Sequence, residues 1–195
     1  MAGRFTKVAV PELATLMSRA ALSPEAQEAL RGCEELESAI DRLETAGFQA
    51  EAIRVLAHAL PKRESVWWAC MCADSTAPPE LAEEDRLARE SAELWVRQQT
   101  DGVRRDAMAH AQASGFMTAE SWTGVAAFWS GDSLAPLDEP VIAPLPEQTG
   151  SAVAAAVTLA SVRGEGEHYA SRVKRFLESG RDIASGGFGR MERQA

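Results

Sequence analysis

HALPKRESVWWACMC, residues 58–72, is the most apolar and aromatic stretch of the chain, and its reading decides the fold. A helix beginning at Pro61, a favoured first helical position, sets Val66, Trp67, Cys70 and Met71 on one face, with Trp68, Ala69 and Cys72 beside it. Such a helix is apolar almost all round, the pattern of a buried helix. Its two adjacent tryptophans diverge by about 100° and need neighbours on at least two sides. Other helices are therefore expected to wrap around it.

Outward from this centre the periodicity is helical. On the N-terminal side, residues 49–60 carry Ile53, Leu56, Ala57 and Leu60 in the i, i+3, i+4, i+7 pattern. Residues 33–45 repeat it with Leu36, Ile40 and Leu43, and Gly47 closes the segment. Ser23 followed by Pro24 and Glu25 is a strong helix start, and a short helix is expected at 11–19. On the other side, helices are expected at 80–99, 103–114 and 118–130, the last capped by Thr118 and stopped by Gly131. An alanine- and valine-rich helix over 151–162 and a final one over 165–179 complete the series.

Residues 131–147 differ in kind. Pro136, Pro140, Pro144 and Pro146 forbid a helix, while Leu134, Leu137, Val141, Ile142 and Leu145 argue against a free linker. The expectation is an extended strap lying on the helices, largely in polyproline conformation. No strand pattern occurs. The fold class is all-α, about eight or nine helices in one compact bundle or a short HEAT-like array of helical hairpins. The array is suggested by AEAIRVLAHALPKRESVWWACMCA (50–73) and AELWVRQQTDGVRRDAMAHAQASG (92–115), two helix–turn–helix segments of similar pattern. Residues 1–185 read as one domain and 186–195, GGFGRMERQA, as a mobile tail.

At 195 residues and 46% hydrophobic content the chain can bury a substantial core. A net charge of −9 and a pI near 4.9 argue against nucleic acid and anionic membranes as partners. The charge is uneven, with +2 over residues 148–195, so the last helix, with Arg172, Lys174 and Arg175 outward, is the basic surface. The N-terminal stretch, with Arg4, Lys7 and Arg19, lacks an apolar h-region and does not read as a secretory signal. The longest uncharged run, 148–162, is too short and too polar to span a bilayer.

Few residues invite chemistry. Cys33, Cys70 and Cys72 are odd in number, and Cys70 and Cys72 diverge on a helix, so free core thiols in a reducing compartment are expected rather than a metal or redox site. His58, His110 and His168 have no histidine at metal-ligand spacing. No phosphate-binding glycine loop or nucleophile elbow occurs, and the carboxylate clusters at 34–37 and 83–85 fall on exposed helical runs. No catalytic, cofactor or metal residue is nominated. The candidate contacts for a protein partner are Lys62 and Arg63 beside Trp67 and Trp68, with Arg172 and Arg175 on the final helix, because tryptophan and arginine dominate interface hot spots.

ALPKRESVWWAC (59–70), AAFWSGDSLAP (126–136), the proline strap, TGSAVAAAVTLA (149–160) and FLESGRDIASG (176–186) together resemble a family of bacterial helical proteins known only as a domain of unknown function and found near type VI secretion loci. The resemblance spans about residues 50–186. It implies a cytoplasmic accessory, a non-enzymatic adaptor or chaperone-like protein that binds another protein, a secretion component or effector. The alternative is a helical small-molecule sensor or enzyme with a tryptophan-lined pocket.

Overall fold

The computed structural model describes residues 5–194. Met1–Arg4, part of the stretch read above for a secretory signal, and Ala195, the last residue of the expected tail, lie outside them. Among the described residues there are ten α-helices and no strand. They are α1 (Leu13–Arg19), α2 (Pro24–Ala29), α3 (Leu36–Thr45), α4 (Gln49–Ala59), α5 (Lys62–Ser75), α6 (Glu83–Gln98), α7 (Asp101–Ala113), α8 (Ala119–Trp129), α9 (Gln148–Ser161) and α10 (Tyr169–Ala184). The last is preceded by a 3₁₀ turn, Gly166–His168.

Several of these ends follow the side chains expected to set them. The Ser23 hydroxyl accepts from the Ala26 amide at 3.2 Å, with Pro24 in the first turn of α2. Thr118 and Ser121 close a reciprocal capping box at the start of α8, and the Thr118 hydroxyl donates to Asp85 of α6 at 2.6 Å. Ala119 and the rest of α8 are thereby fixed against α6.

The double-tryptophan helix α5 is the centre of the bundle and packs on α6, α8, α9 and α10. The small side chains of α9 let it lie between α4 and α5 on one side and α8 on the other. Of the two architectures left open by the sequence, the structure is the compact bundle. The segment 92–115 does form a packed hairpin of α6 and α7. The segment 50–73 does not, because α4 and α5 meet near their turn, where Ser65 Oγ donates to Ala57 O at 2.8 Å, and otherwise pack on α9 and α10.

Trp68 has no exposed surface, and its indole N–H donates to the Phe176 carbonyl of α10 at 2.9 Å. Gly180 of α10 lies over Leu56 and the Trp68 ring so closely that a Cβ would overlap both, so α4, α5 and α10 meet at a point no larger residue fits. A similar approach joins α7 and α8 at Gly124.

Three segments depart from expectation. The proline-rich segment is present without helix, but its apolar side chains face outward. Leu137, Val141, Ile142 and Leu145 are exposed, and Ala135 alone is buried. Through Ile142 the segment bonds to itself, with Leu134 N–H donating to Ile142 O at 2.7 Å and the Ala135 and Ile142 amides both donating to Ser133 Oγ, and it meets a helix at its end, where Leu145 N–H donates to Gln148 Oε1 of α9 at 2.6 Å. Its prolines offer no N–H with which to tie the tip down.

Arg172, expected on the outer face of α10, is buried and bonds to the Arg163 carbonyl and Gln194 Oε1. The helix continues to Ala184, past the expected end at Ser179. The tail, expected to be mobile, lies against the bundle. Ser179 donates to Gly189 O at 2.6 Å, Gly189 N–H to Asp182 Oδ2 at 2.8 Å, and Gln194 N–H to Ser75 O at 2.8 Å, while Met191 packs on the core.

A basic aromatic groove beside the double-tryptophan helix

Trp67 points a helical step away from Trp68 and is half-buried, its indole N–H donating to Phe188 O at 2.7 Å. That bond lays the chain after α10 along the start of α5. Between them runs a groove of about 230 Å³ bordered by Arg63, Trp67, Arg97, Lys7 and Phe188. Phe188 is 72% exposed, although its backbone is anchored.

Arg63 serves the fold as well as the groove. Its Nε donates to the Val96 carbonyl at 2.8 Å, one of the last-turn carbonyls of α6 that lack an intrahelical partner. A second guanidinium nitrogen reaches Glu64 at 3.4 Å. Among the described residues Arg97 is held only by Glu93, also at 3.4 Å, and it remains largely exposed. Three cations thus rim the groove against Glu64. Arg190 adds a fourth nearby, its guanidinium 5.7 Å from the Phe188 ring centroid.

The six residues nominated from the sequence do not form one site. Arg63 and Trp67 share the groove. Lys62, one residue earlier on α5, opens onto a separate cavity and reaches Ser130 O at 3.4 Å. Trp68 is sealed in the core and Arg172 is buried, so neither can meet a partner. Arg175 is partly covered by the chain's own C-terminal segment, donating to Glu192 O at 2.6 Å. Lys7, Arg97 and Phe188 escaped sequence reasoning. The one available signal was a phenylalanine set in the glycine-rich GGFG of the tail.

Elsewhere, Glu120 of α8 is fully buried and pairs through one carboxylate oxygen with Arg163 at 2.5 Å, while its other oxygen has no partner among the described residues. Arg163 also donates to Ala73 O and Thr76 Oγ1, so the pair ties the end of α5 to α8 and to the turn after α9. Cys70 and Cys72 are free and buried, and burial pushes both thiols well above their usual range, leaving them protonated and poor nucleophiles. Trp122 and Trp129 meet edge to face with centroids 6.3 Å apart, whereas Trp95 borders a cavity of about 400 Å³ between the α6–α7 turn and the proline-rich loop. Glu165, Glu167 and His168, all exposed, can bring three ligand atoms within 4.8 Å of one another. Among the described residues no helix is long and apolar enough to cross a membrane.

A family model described as a family of unknown function, DUF6931, matches residues 39–184, which hold α4 to α10 entire and most of α3. The chain belongs to the DUF6931 family. The match begins some ten residues before the span of the resemblance drawn from the sequence and ends within two residues of it. Neither a curated protein nor a solved structure matches the chain significantly. The groove of this DUF6931 protein draws Arg63, Trp67 and Arg97 from inside the matched span and Lys7 and Phe188 from outside it.

Proposed function

We propose that this DUF6931 protein is a non-enzymatic, protein-binding adaptor whose groove at Arg63, Trp67, Arg97 and Phe188 takes an acidic segment of another protein carrying an apolar side chain. One observation carries the reading. On a chain of net charge −9, three cations converge on a groove that also presents a half-buried tryptophan and a phenylalanine 72% exposed. Aromatic anchors bordered by arginine are the residue types that dominate binding energy at interfaces, and cations at the rim steer an acidic partner toward them. An apolar side chain of the partner fits between Trp67 and Phe188, with its carboxylates toward Arg97 and Lys7.

The type VI secretion setting, the bacterial source, the chaperone-like variant and the cytoplasmic compartment rest on the resemblance of the sequence segments. The groove itself asks only for an acidic, apolar peptide. Co-purification at moderate salt with the unaltered chain, followed by the same experiment with Arg97→Glu combined with Phe188→Ala, tests the reading. Both substitutions fall on largely exposed side chains, so the fold survives them. Loss of the partner with the variant supports the groove, and recovery of secretion-apparatus or effector proteins supports the setting. A partner retained at unchanged affinity refutes the groove as the contact.

A further inference from the structure

A second cavity, of about 250 Å³, lies where the end of α4, the start of α5 and the start of α9 converge, and Lys62 and Arg19 border it. His58 lines it from α4. The residue is 7% exposed, and its imidazole has no hydrogen-bond partner among the described residues. Its burial is built in. Gly150 of α9 lies so close to Nδ1 that any Cβ at that position would overlap the ring.

The adjoining wall is the first turn of α9, a helix of 14 residues whose N-cap, Glu147, makes no side-chain capping bond. In that turn Gln148 N–H donates to Leu145 O at 3.1 Å and Ser151 N–H to Glu147 O at 2.9 Å. The amides of Thr149 and Gly150 between them have no acceptor among the described residues, and both residues line the cavity. Free amides at a helix N-terminus attract negative charge through the positive end of the helix dipole.

Arg19, the last residue of α1, has no ion-paired or hydrogen-bonded partner among the described residues. Among the described residues Lys62 makes only the long bond to Ser130 O. Glu147 is the acidic group on this side. It has no ion pair among the described residues, so it does not neutralise either cation directly.

We propose that this cavity is a binding site for a small oxyanion, the phosphate or carboxylate group of a small molecule, held by the Thr149 and Gly150 amides, Arg19 and Lys62, with His58 as a buried polar contact on its floor. The site goes beyond the protein-binding reading, since it shares no residue with the Arg63–Trp67 groove. It gives a purpose to two amides that have no acceptor among the described residues. Its size suits a single anionic group with a short carbon skeleton and excludes a dinucleotide.

The test is a titration of the intact chain with inorganic phosphate and, separately, with acetate, at fixed ionic strength set by chloride, followed by amide NMR. The expected result is saturable movement of the Thr149 and Gly150 amide resonances by one or both anions. Arg19→Gln and Lys62→Gln, both accessible side chains outside the core, are expected to weaken binding by about tenfold or more each, the worth of one charge-assisted contact. Saturation by phosphate alone assigns a phosphorylated ligand, and by acetate alone a carboxylate. Amide resonances unmoved by either anion at millimolar concentration overturn the proposal. So does a response left unchanged by both substitutions.

Discussion

Gly124 of α8 faces the backbone of α7 at a distance that admits no side chain, and replacing it with alanine yields a signed prediction. A Cβ built there lies 2.5 Å from the Ala107 carbonyl oxygen and 3.1 Å from Ala111 Cβ. The oxygen belongs to a helix backbone, so no rotamer change relieves the overlap, and the helices must move apart along a contact that also holds Ala107 and Ala111 in the core. Overpacking of this kind costs up to about 3 kcal/mol, and the better helix propensity of alanine returns about 1 kcal/mol. The expected net loss for Gly124→Ala is about 2 kcal/mol, or roughly 4 to 8 °C in Tm for a chain of this size. Gly102 in the first turn of α7 is the control, because a Cβ there meets nothing within 4 Å. Gly102→Ala is expected to stabilise by about 0.5 to 1 kcal/mol. Urea denaturation of the two variants beside the parent chain reads both numbers. A Gly124→Ala protein as stable as its parent would refute the close approach of α7 and α8.

Other expectations are as direct. Trp68→Ala should cost about 3 to 5 kcal/mol, and Trp67→Ala about half of that or less, since Trp67 is only half-buried; equal losses by chemical denaturation would contradict the assignment of one ring to the core and the other to the groove. Arg163→Met leaves the Glu120 carboxylate buried without its partner and should cost about 3 to 5 kcal/mol, whereas Glu120→Leu with Arg163→Met should cost less than the single change; a double variant as damaged as the two losses added would deny the coupling. His58 is pushed down to about 4, first by burial and then by Arg19, with Arg54 acting the same way and Glu147 opposing. The unfolded chain therefore takes up this proton before the folded one, so the stability His58 confers is present above about pH 6.5 and falls by about 3 kcal/mol as the pH drops toward 4. His58→Gln should flatten that slope, and an unchanged slope would place its origin elsewhere. In the native protein a thiol reagent should modify Cys33, which is half-buried, and reach Cys70 and Cys72 only on denaturation; three fast thiols would contradict the burial of α5.

The fold was legible because its signals are local. Ser23–Pro24, Thr118 and the glycines after α3 and α7 announce helix ends by chemistry within a turn, and the all-round apolar character of residues 66–73 announces a central helix. What stayed hidden depends on partners distant in sequence. Nothing near Arg172 says that its guanidinium will be covered by Gln194, and nothing near Trp67 says that Phe188 will accept its N–H. The proline-rich loop misled for a related reason. Apolar composition states a preference for burial, but burial also needs backbone groups that can bond to the body, and four prolines in this stretch remove them. Of the groove, Arg63 and Trp67 were found through residue type and proximity, while Arg97 and Lys7 needed the packing of α5 against α6 and the path of the N-terminal segment.

The placement of α5 sets a timetable for synthesis. Its indole bonds close onto residues 108 and 121 positions further along the chain. At ribosomal speeds of about 5 to 20 residues per second, Trp68 waits roughly 5 to 20 seconds for the carbonyl that completes its burial. Through that interval the nascent chain carries two adjacent tryptophans and two thiols on a helix whose lids, α8, α9 and α10, have yet to emerge. The same helix that organises the finished protein is its most adhesive segment while being made, and a cell producing it quickly has to keep those nascent helices apart.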